Sequence, residues 1–341
     1  GAFTLGERTS TTLALQVRQP LFDPVRRLYA APAARSAADA ARASAGRTLQ
    51  ELAAQAAAAY VAVLEIDAAL RSTESFLTSL EARLDEMEAR VRAGSVLEAD
   101  ALKIRLDLES AELDRRRLRD LRGVAVDDLG RAVGLDGPAQ PAPMADVDRG
   151  QTPAIAEAVA AALAARPDVA ALEAQVRALG LRAKAVKAES WPRFDARLTY
   201  QRSDGDPFFP DELATGAVGV SWSLFAGGTR GPRAAAVEAE AEALRAELTE
   251  LRRGVRLELA DALARLATAR SAVEVRSRGV ELATETLRVE RERHGAGRST
   301  TNDLLAAEAA LRRQRTEHDL ARLEVLRAWI SYDLAVGAAG S

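Results

Sequence analysis

Residues 92–103 read R-A-G-S-V-L-E-A-D-A-L-K, and residues 294–305 read H-G-A-G-R-S-T-T-N-D-L-L. Gly94 of the first stretch and Gly297 of the second are 203 positions apart. The same offset joins Asp100 to Asp303, Leu102 to Leu305, Ala132-Val133-Gly134 to Ala335-Val336-Gly337, and Leu21-Phe22 to Leu224-Phe225. An ungapped match over so long a span predicts that the chain is two copies of one long unit.

The composition narrows the possible functions. The chain has 341 residues, a net charge of −3 and no cysteine, so nucleic acid is not an expected partner and thiolate metal sites are excluded. His294 and His318 are the only histidines, and their spacing is not that of metal ligands. No phosphate-binding loop or nucleophile motif stands out, and no apolar run reaches the ~18–20 residues of a membrane-spanning helix. We therefore expect no catalytic site, no metal and no cofactor.

The first copy is predicted to be one long helical hairpin. A helix covers about 25–93, with a kink near Pro32, and its apolar seam repeats at steps of three and four residues. At 1.5 Å per residue such a helix spans roughly 100 Å, more than a compact domain can contain. Gly94 ends this helix, and Ser95 and Glu98 match a capping box for a return helix that runs to about Val133.

The second copy is predicted to repeat this plan after a proline-rich linker. A helix over 153–188 breaks at Arg166-Pro167-Asp168, because proline disfavours helix at the preceding residue. A second long helix covers about 233–293, and its return helix covers 300–336. The predicted divisions are residues 1–135 for the first repeat, 136–152 for the linker and 153–341 for the second repeat.

Three segments of about nine residues alternate between apolar and polar side chains, which is typical of strands. They are residues 11–21, 193–201 and 216–225, and the last two are predicted to form a hairpin with a long loop from Ser203 to Thr215. The length suits a transmembrane β-strand, and so few strands close a barrel only if several chains contribute. The alternative is a small soluble sheet packed against the helices. In the first reading Phe194, Tyr200 and Trp222 face lipid.

Taken together, these residues resemble the TolC-like outer-membrane efflux proteins. The resemblance rests on Q-P-L-F-D at 19–23, W-S-L-F-A-G-G at 222–228, R-P-D at 166–168 leading to W-P-R-F at 191–194, and the duplicated glycine and aspartate pairs. It covers essentially the whole chain. The implied fold is mainly α with a small β part: long antiparallel hairpins that form an α-barrel tunnel when trimeric, and strands that join a shared transmembrane β-barrel.

The resemblance also implies a function and its partners. The chain would be the passive export duct of a tripartite efflux or type I secretion system, located in the outer membrane and extending into the periplasm. It would form a homotrimer in outer-membrane lipid and work with a periplasmic adaptor, also called a membrane fusion protein, and an inner-membrane transporter. Two helical turns would dock the adaptor, at Gly94-Ser95 and Gly297-Arg298. Asp100 and Asp303 would form an acidic ring at the periplasmic gate.

Some of these predictions have an alternative. Thr300 and Asp303 also match a capping box, so Asp303 is either a gate residue or a helix cap. Counterparts of the helix and strand at about 166–201 would precede Gly1, so the chain is expected to lack the family's first helix and first strand. The alternative function is a soluble or periplasmic coiled-coil adaptor or scaffold. An enzyme is not expected.

Overall fold

A computed structural model describes residues 11–95, 97–142, 151–204 and 210–338 of the chain, with the side chains of Asp204 and Thr301 excepted. The chain divides into two compact units. One comprises the described residues of 1–44 and 168–251, and the other those of 45–167 and 252–341. Each unit therefore takes segments from both sequence repeats. The limits predicted at 135 and 153 stay a prediction, and residues 143–150 of the predicted linker lie outside the described residues.

The first unit contains an antiparallel sheet of three strands in sequence order. The strands are β1 (Thr11–Phe22), β2 (Arg193–Asp204) and β3 (Glu212–Ser221). Leu15 lies opposite Tyr200 and Val17 lies opposite Leu198. Leu198 in turn lies opposite Gly216. Since opposed residues of antiparallel strands share a face, the alternating pattern confirms one apolar face across all three strands.

The predicted position of the third strand was wrong. The strand expected at 216–225 runs from Glu212 to Ser221, and β2 continues to Asp204, so residues 203–204 and 212–215 of the predicted loop belong to strands. Backbone pairing extends the hairpin toward its loop, where Glu212 lies opposite Arg202. Residues 205–209 of that loop lie outside the described residues.

A π-helical turn lies at the entry to the first long helix, close to the kink predicted at Pro32. Residues Arg26–Ala30 form a π-helical turn, and α1 then runs from Ala31 to Arg92. The Ala31 amide donates to the Arg26 carbonyl, five residues back. Pro32 has no amide hydrogen to donate to the carbonyl of Leu28, which favours a wider turn at this point.

The remaining helices correspond to the predicted return helix of the first hairpin, the predicted broken helix and the two helices of the second hairpin. They are α2 (Glu98–Ala132), α3 (Ile155–Ala165), α4 (Pro167–Ala188), α5 (Arg230–Gly295) and α6 (Thr301–Val336). Shifted by 203 positions, the last residues of α1 and α2 fall within one residue of those of α5 and α6. The helix break at Arg166 is confirmed, since its backbone is extended with φ −68° and ψ 122°.

Each hairpin has its own apolar core. Between α1 and α2, Leu77, Leu80 and Met87 pack with Ala101, Ile104 and Ala111. Between α5 and α6, Leu287 packs with Ala307 and Leu311. The predicted seam of the first helix is therefore confirmed as the face that buries itself against the return helix.

Helix α1 also packs against α6, which joins the two hairpins within the second unit. The Thr316 hydroxyl donates to Ser72 Oγ at 2.7 Å, and Arg327 lies 3.0 Å from Glu65. Thus α1 has α2 on one flank and α6 on the other.

One expectation about apolar runs needs correction. Among the described residues, the helical stretch Arg26–Arg92 contains an 18-residue window apolar enough to cross a membrane by length and composition. The segment around 53–64 is mostly alanine, which contributes to the apolar character of this helix. Core helices of soluble proteins pass the same test, so this window alone assigns no membrane span.

Candidate functional site

The first predicted docking turn, at Gly94 and Ser95, is a tight helix end. Gly94 has φ +70°, in the left-handed region that favours glycine. Its amide donates to the Val91 carbonyl at 2.9 Å, and the Ser95 amide donates to the Arg90 carbonyl at 3.0 Å. These two bonds form a Schellman motif, which satisfies carbonyls at the end of α1 and reverses the chain. Both residues are exposed.

The second predicted docking turn, at Gly297 and Arg298, has the same geometry. Gly297 also has φ +70°. Its amide donates to the His294 carbonyl at 3.0 Å, and the Arg298 amide donates to the Arg293 carbonyl at 2.8 Å. The sequence repeat therefore extends to the individual hydrogen bonds of the two turns.

Asp303 caps α6, as the alternative reading of this residue allowed. Its carboxylate accepts hydrogen bonds from the Thr300 hydroxyl at 2.7 Å and the Thr300 amide at 3.0 Å, and its own amide donates to Thr300 Oγ1. The hydroxyl bond and the amide bond lower the pKa of Asp303, because both favour the charged carboxylate. The side chain stays exposed, so capping does not hide its charge.

The predicted capping box at Ser95 and Glu98 was wrong. The residue that precedes α2 is Leu97, whose side chain cannot accept a hydrogen bond, and the helix begins at Glu98. Leu97 is the repeat counterpart of Thr300. Asp100 therefore occupies the position of Asp303 without the threonine partner, and it is half-buried. Val96, between the predicted cap residues, lies outside the described residues.

A pair of ion pairs near the turns escaped the sequence analysis. Arg105 of α2 lies 2.7 Å from Glu88 of α1, and Arg291 of α5 lies 3.3 Å from Glu308 of α6. The offset of 203 relates Glu88 to Arg291 and Arg105 to Glu308, so the two copies make the same contact with inverted charges. Comparing charges at repeat-related positions would have revealed it.

The residues predicted to face lipid are found on or beside the sheet. Val218, Leu13 and Leu15 are 74%, 70% and 65% exposed, so no described part of the chain covers the apolar face. This exposure contradicts the alternative of a sheet packed against helices, and it marks a surface for lipid or another chain.

The predicted aromatic residues are not all in the same setting. Phe194 and Tyr200 lie on the apolar face of β2. Trp222 lies beyond β3, where its indole N–H donates to the Ser190 carbonyl at 2.7 Å. Trp191 contacts Tyr29, with ring centroids 6.2 Å apart. An indole ring with one polar partner, as at Trp222, suits a boundary between water and apolar surroundings.

Within the described ranges, no group of three or more histidine, cysteine, aspartate or glutamate side chains has the arrangement of a metal site. The candidate functional features are two exposed turns, two aspartates related by the repeat and a sheet with an exposed apolar face.

Comparisons with known proteins show similarity to outer membrane proteins. The family model for outer membrane efflux proteins matches residues 158–338. No curated protein matches the chain. The comparisons give no support to a soluble adaptor or scaffold.

Several solved structures share the fold. A membrane protein from Pseudomonas aeruginosa superposes with a TM-score of 0.77 at 19% identity, covering 97% of this chain and 84% of that one. The outer membrane protein VceC of Vibrio cholerae gives 0.74 at 15% identity, covering 98% and 88%. The MtrE outer membrane channel of Neisseria gonorrhoeae gives 0.73 at 18% identity, covering 98% and 81%.

Proposed function

Because this chain belongs to the outer membrane efflux protein family and is an efflux channel-tunnel that extends from the outer membrane into the periplasm, we propose that three copies form one continuous export duct. The sheet of each copy joins a shared β-barrel with its apolar face toward lipid. The hairpins of the second unit join side by side into a helical tunnel. Closing both rings removes open sheet edges and unpaired helix faces at the same time.

This proposal rests on a comparison between the α1–α6 contact inside the chain and the outward faces of α2 and α5. Helices α1 and α6 meet in the middle of the second unit, so α2 and α5 are left with outward faces. These faces bear exposed apolar side chains at helical spacing: Leu102, Leu106, Leu113 and Val124 on α2, and Val275, Leu282 and Val289 on α5. The three on α5 are seven residues apart, the spacing of a coiled-coil seam.

The sequence repeat allows the α1–α6 contact inside one chain to predict the contact between α5 of one chain and α2 of the next. Adding 203 to Ser72 gives Val275, and subtracting 203 from Thr316 gives Leu113. Since Ser72 and Thr316 contact each other inside the chain, Val275 of one copy is expected to contact Leu113 of the next. Both are well exposed, at 61% and 66%. A head-to-tail contact of this kind builds a ring when its rotation closes.

The exposed turns are the proposed docking sites for a periplasmic adaptor, which links the duct to an inner-membrane transporter. Ser95 and Arg298 lie beside the two left-handed glycines and present side chains to solvent. Because the turns of the two sequence repeats have the same geometry, a trimer presents six similar positions. Six similar positions suit the docking of several adaptor molecules around one duct.

Asp100 and Asp303 are the proposed gate residues. Three copies bring up to six carboxylates near one axis. Two charges ~8 Å apart repel by only about 0.5 kcal/mol in water, and a narrow low-dielectric passage strengthens this several-fold. Such a ring attracts cations and resists anions. Ala306, one turn further along, carries no charge and leaves the ring thinner.

Single-channel recording tests the duct and its gate together. We expect the purified protein to produce discrete, cation-selective current steps in planar lipid bilayers. Asp100→Asn with Asp303→Asn should lower the cation selectivity, whereas Asp114→Asn, further along α2, should leave it unchanged. Absence of steps from well-folded trimers would contradict the duct, and unchanged selectivity of the double variant would contradict only the gate.

A further inference from the structure

A cavity along the contact between α1 and α6 has an unusual concentration of arginine. It lies within the second unit and has a volume of about 460 Å³. Among the described residues that line it are five arginines: Arg71, Arg83, Arg291, Arg312 and Arg315. Three carboxylates also line it, which leaves an excess of positive charge. Leu80, Leu287 and Leu311 supply apolar wall.

Two of these arginines are already engaged with one carboxylate. Glu308 forms ion pairs with both Arg83 and Arg291. Arg83 is only 16% exposed, and burial lowers its pKa because desolvation disfavours the charged form. The positive charge at this side of the cavity thus exceeds what Glu308 neutralises.

The other three arginines have no carboxylate partner in the described part of the chain. The Arg312 guanidinium lies 3.5 Å from the ring centre of Phe76, over its face. Stacking of this kind uses the face of the guanidinium and leaves its N–H groups free to donate in the plane. Arg71 and Arg315 are exposed at the same cavity, one on α1 and one on α6.

The sequence repeat shows that the hairpin architecture does not require this charge. The counterparts of Arg71, Arg312 and Arg315 at the offset of 203 are Glu274, Glu109 and Glu112. The counterpart of Phe76 is Gly279. The arginines thus lie on α1 and α6, whereas the equivalent positions of α5 and α2 carry glutamates and have a glycine in place of the aromatic ring.

From this geometry we propose that the cavity binds a planar organic anion, an aromatic carboxylate or sulfonate. Guanidinium groups match the two or three oxygens of such anions with parallel hydrogen bonds. A flat apolar body would lie against the leucine wall and the Phe76 region. The volume is within the range of sites for small organic molecules, which combine apolar lining with a few convergent charged groups. Each chain holds one such site, independent of the export function proposed above.

Titration calorimetry with naphthalene-1,5-disulfonate on the purified full-length protein tests this site. We expect one binding event per chain. Arg312→Gln should weaken binding by about tenfold or more, since hydrogen bonds to charged groups are among the stronger ones. Arg312→Glu, which installs the residue type of the other copy, should abolish it.

Arg278→Gln is the matched control, because Arg278 is an exposed arginine of α5 that lies 3.1 Å from Glu274 and does not line the cavity. It removes one positive charge from the same unit and should leave the affinity within about twofold. Should Arg312→Gln fail to fold, Arg71→Gln and Arg315→Gln replace it, since both residues are exposed. No binding by the wild type, or equal weakening by Arg278→Gln, would overturn the proposal.

Discussion

At the residue scale, Arg166 shows how a helix break is stabilised. Its side chain is only 2% exposed, and its guanidinium donates to the Ala335 carbonyl at 3.1 Å and pairs with Glu258. Pro167 sets the extended backbone at this position, and the buried guanidinium holds the break against α5 and α6. The R-P-D motif thus has a structural role that its sequence alone does not state.

Replacing Arg166 should be costly. We expect Arg166→Met to lower the free energy of unfolding by about 1–3 kcal/mol, because the Ala335 carbonyl loses a buried donor. Glu258→Gln should cost less, since position 258 is half exposed and the glutamine amide oxygen can still accept a hydrogen bond from Arg166. Thermal unfolding of the two variants measures this difference. An equal loss for both would show that the ion pair itself, and not the buried donor, stabilises the break.

The turn residues allow docking to be separated from backbone strain. Any residue other than glycine at position 94 or 297 is strained by about 1–2 kcal/mol in the left-handed region. Ser95→Trp and Arg298→Trp avoid this strain while adding bulk at the exposed turn. We expect each tryptophan variant to abolish efflux in cells while trimer abundance stays normal. Gly94→Ala, in contrast, should lower the stability of the folded protein. Normal efflux with both tryptophans would exclude the turns as docking sites.

At the element scale, the two return helices differ in one detail of their starts. Helix α6 begins with a complete capping box at Thr300 and Asp303, whereas α2 begins after Leu97 without a side-chain cap. The N-cap of α2 lies two residues after Ser95, although Ser95 and Glu98 match the capping-box motif in sequence. The repeat offset would have identified Leu97 as the true counterpart of Thr300.

Because only α6 has a side-chain cap, exchanging Leu97 and Thr300 should change the stability of the two hairpins in opposite directions. Leu97→Thr should stabilise the first hairpin by about 1 kcal/mol, because it completes a capping box with Asp100, and Thr300→Leu should destabilise the second by a similar amount. Thermal unfolding measures both changes. A destabilising Leu97→Thr would show that Leu97 contributes more through packing than a cap can restore.

The capping box also makes a prediction about pH. Hydrogen bonds to Thr300 lower the pKa of Asp303 below its ordinary value of 3.8. A group with a lowered pKa in the folded state stabilises it above the unfolded value, and this effect disappears as the pH falls through the folded value. Asp303→Asn should therefore reduce stability at neutral pH and differ little from the wild type in strong acid.

At the scale of the whole molecule, the repeat and the helix ends were predictable from sequence, because glycine, proline and apolar spacing act locally. The third strand was misplaced by four residues at each end, since backbone pairing with β2 fixes its register and alternation alone does not. The arginine cavity was missed for a related reason. Its residues come from helices that are distant in sequence, and only packing of α1 against α6 brings Arg71 and Arg312 to one place.

The most direct test of the ring of three uses the absence of native cysteine in the sequence. Oxidation of the Val275→Cys, Leu113→Cys variant should link chains into a ladder that ends at the trimer on a denaturing gel. Ser72→Cys with Thr316→Cys is the matched control, because those positions contact within one chain and should give no ladder. Failure of the first pair to cross-link while the control pair closes would contradict the proposed contact between α5 and α2 of neighbouring copies.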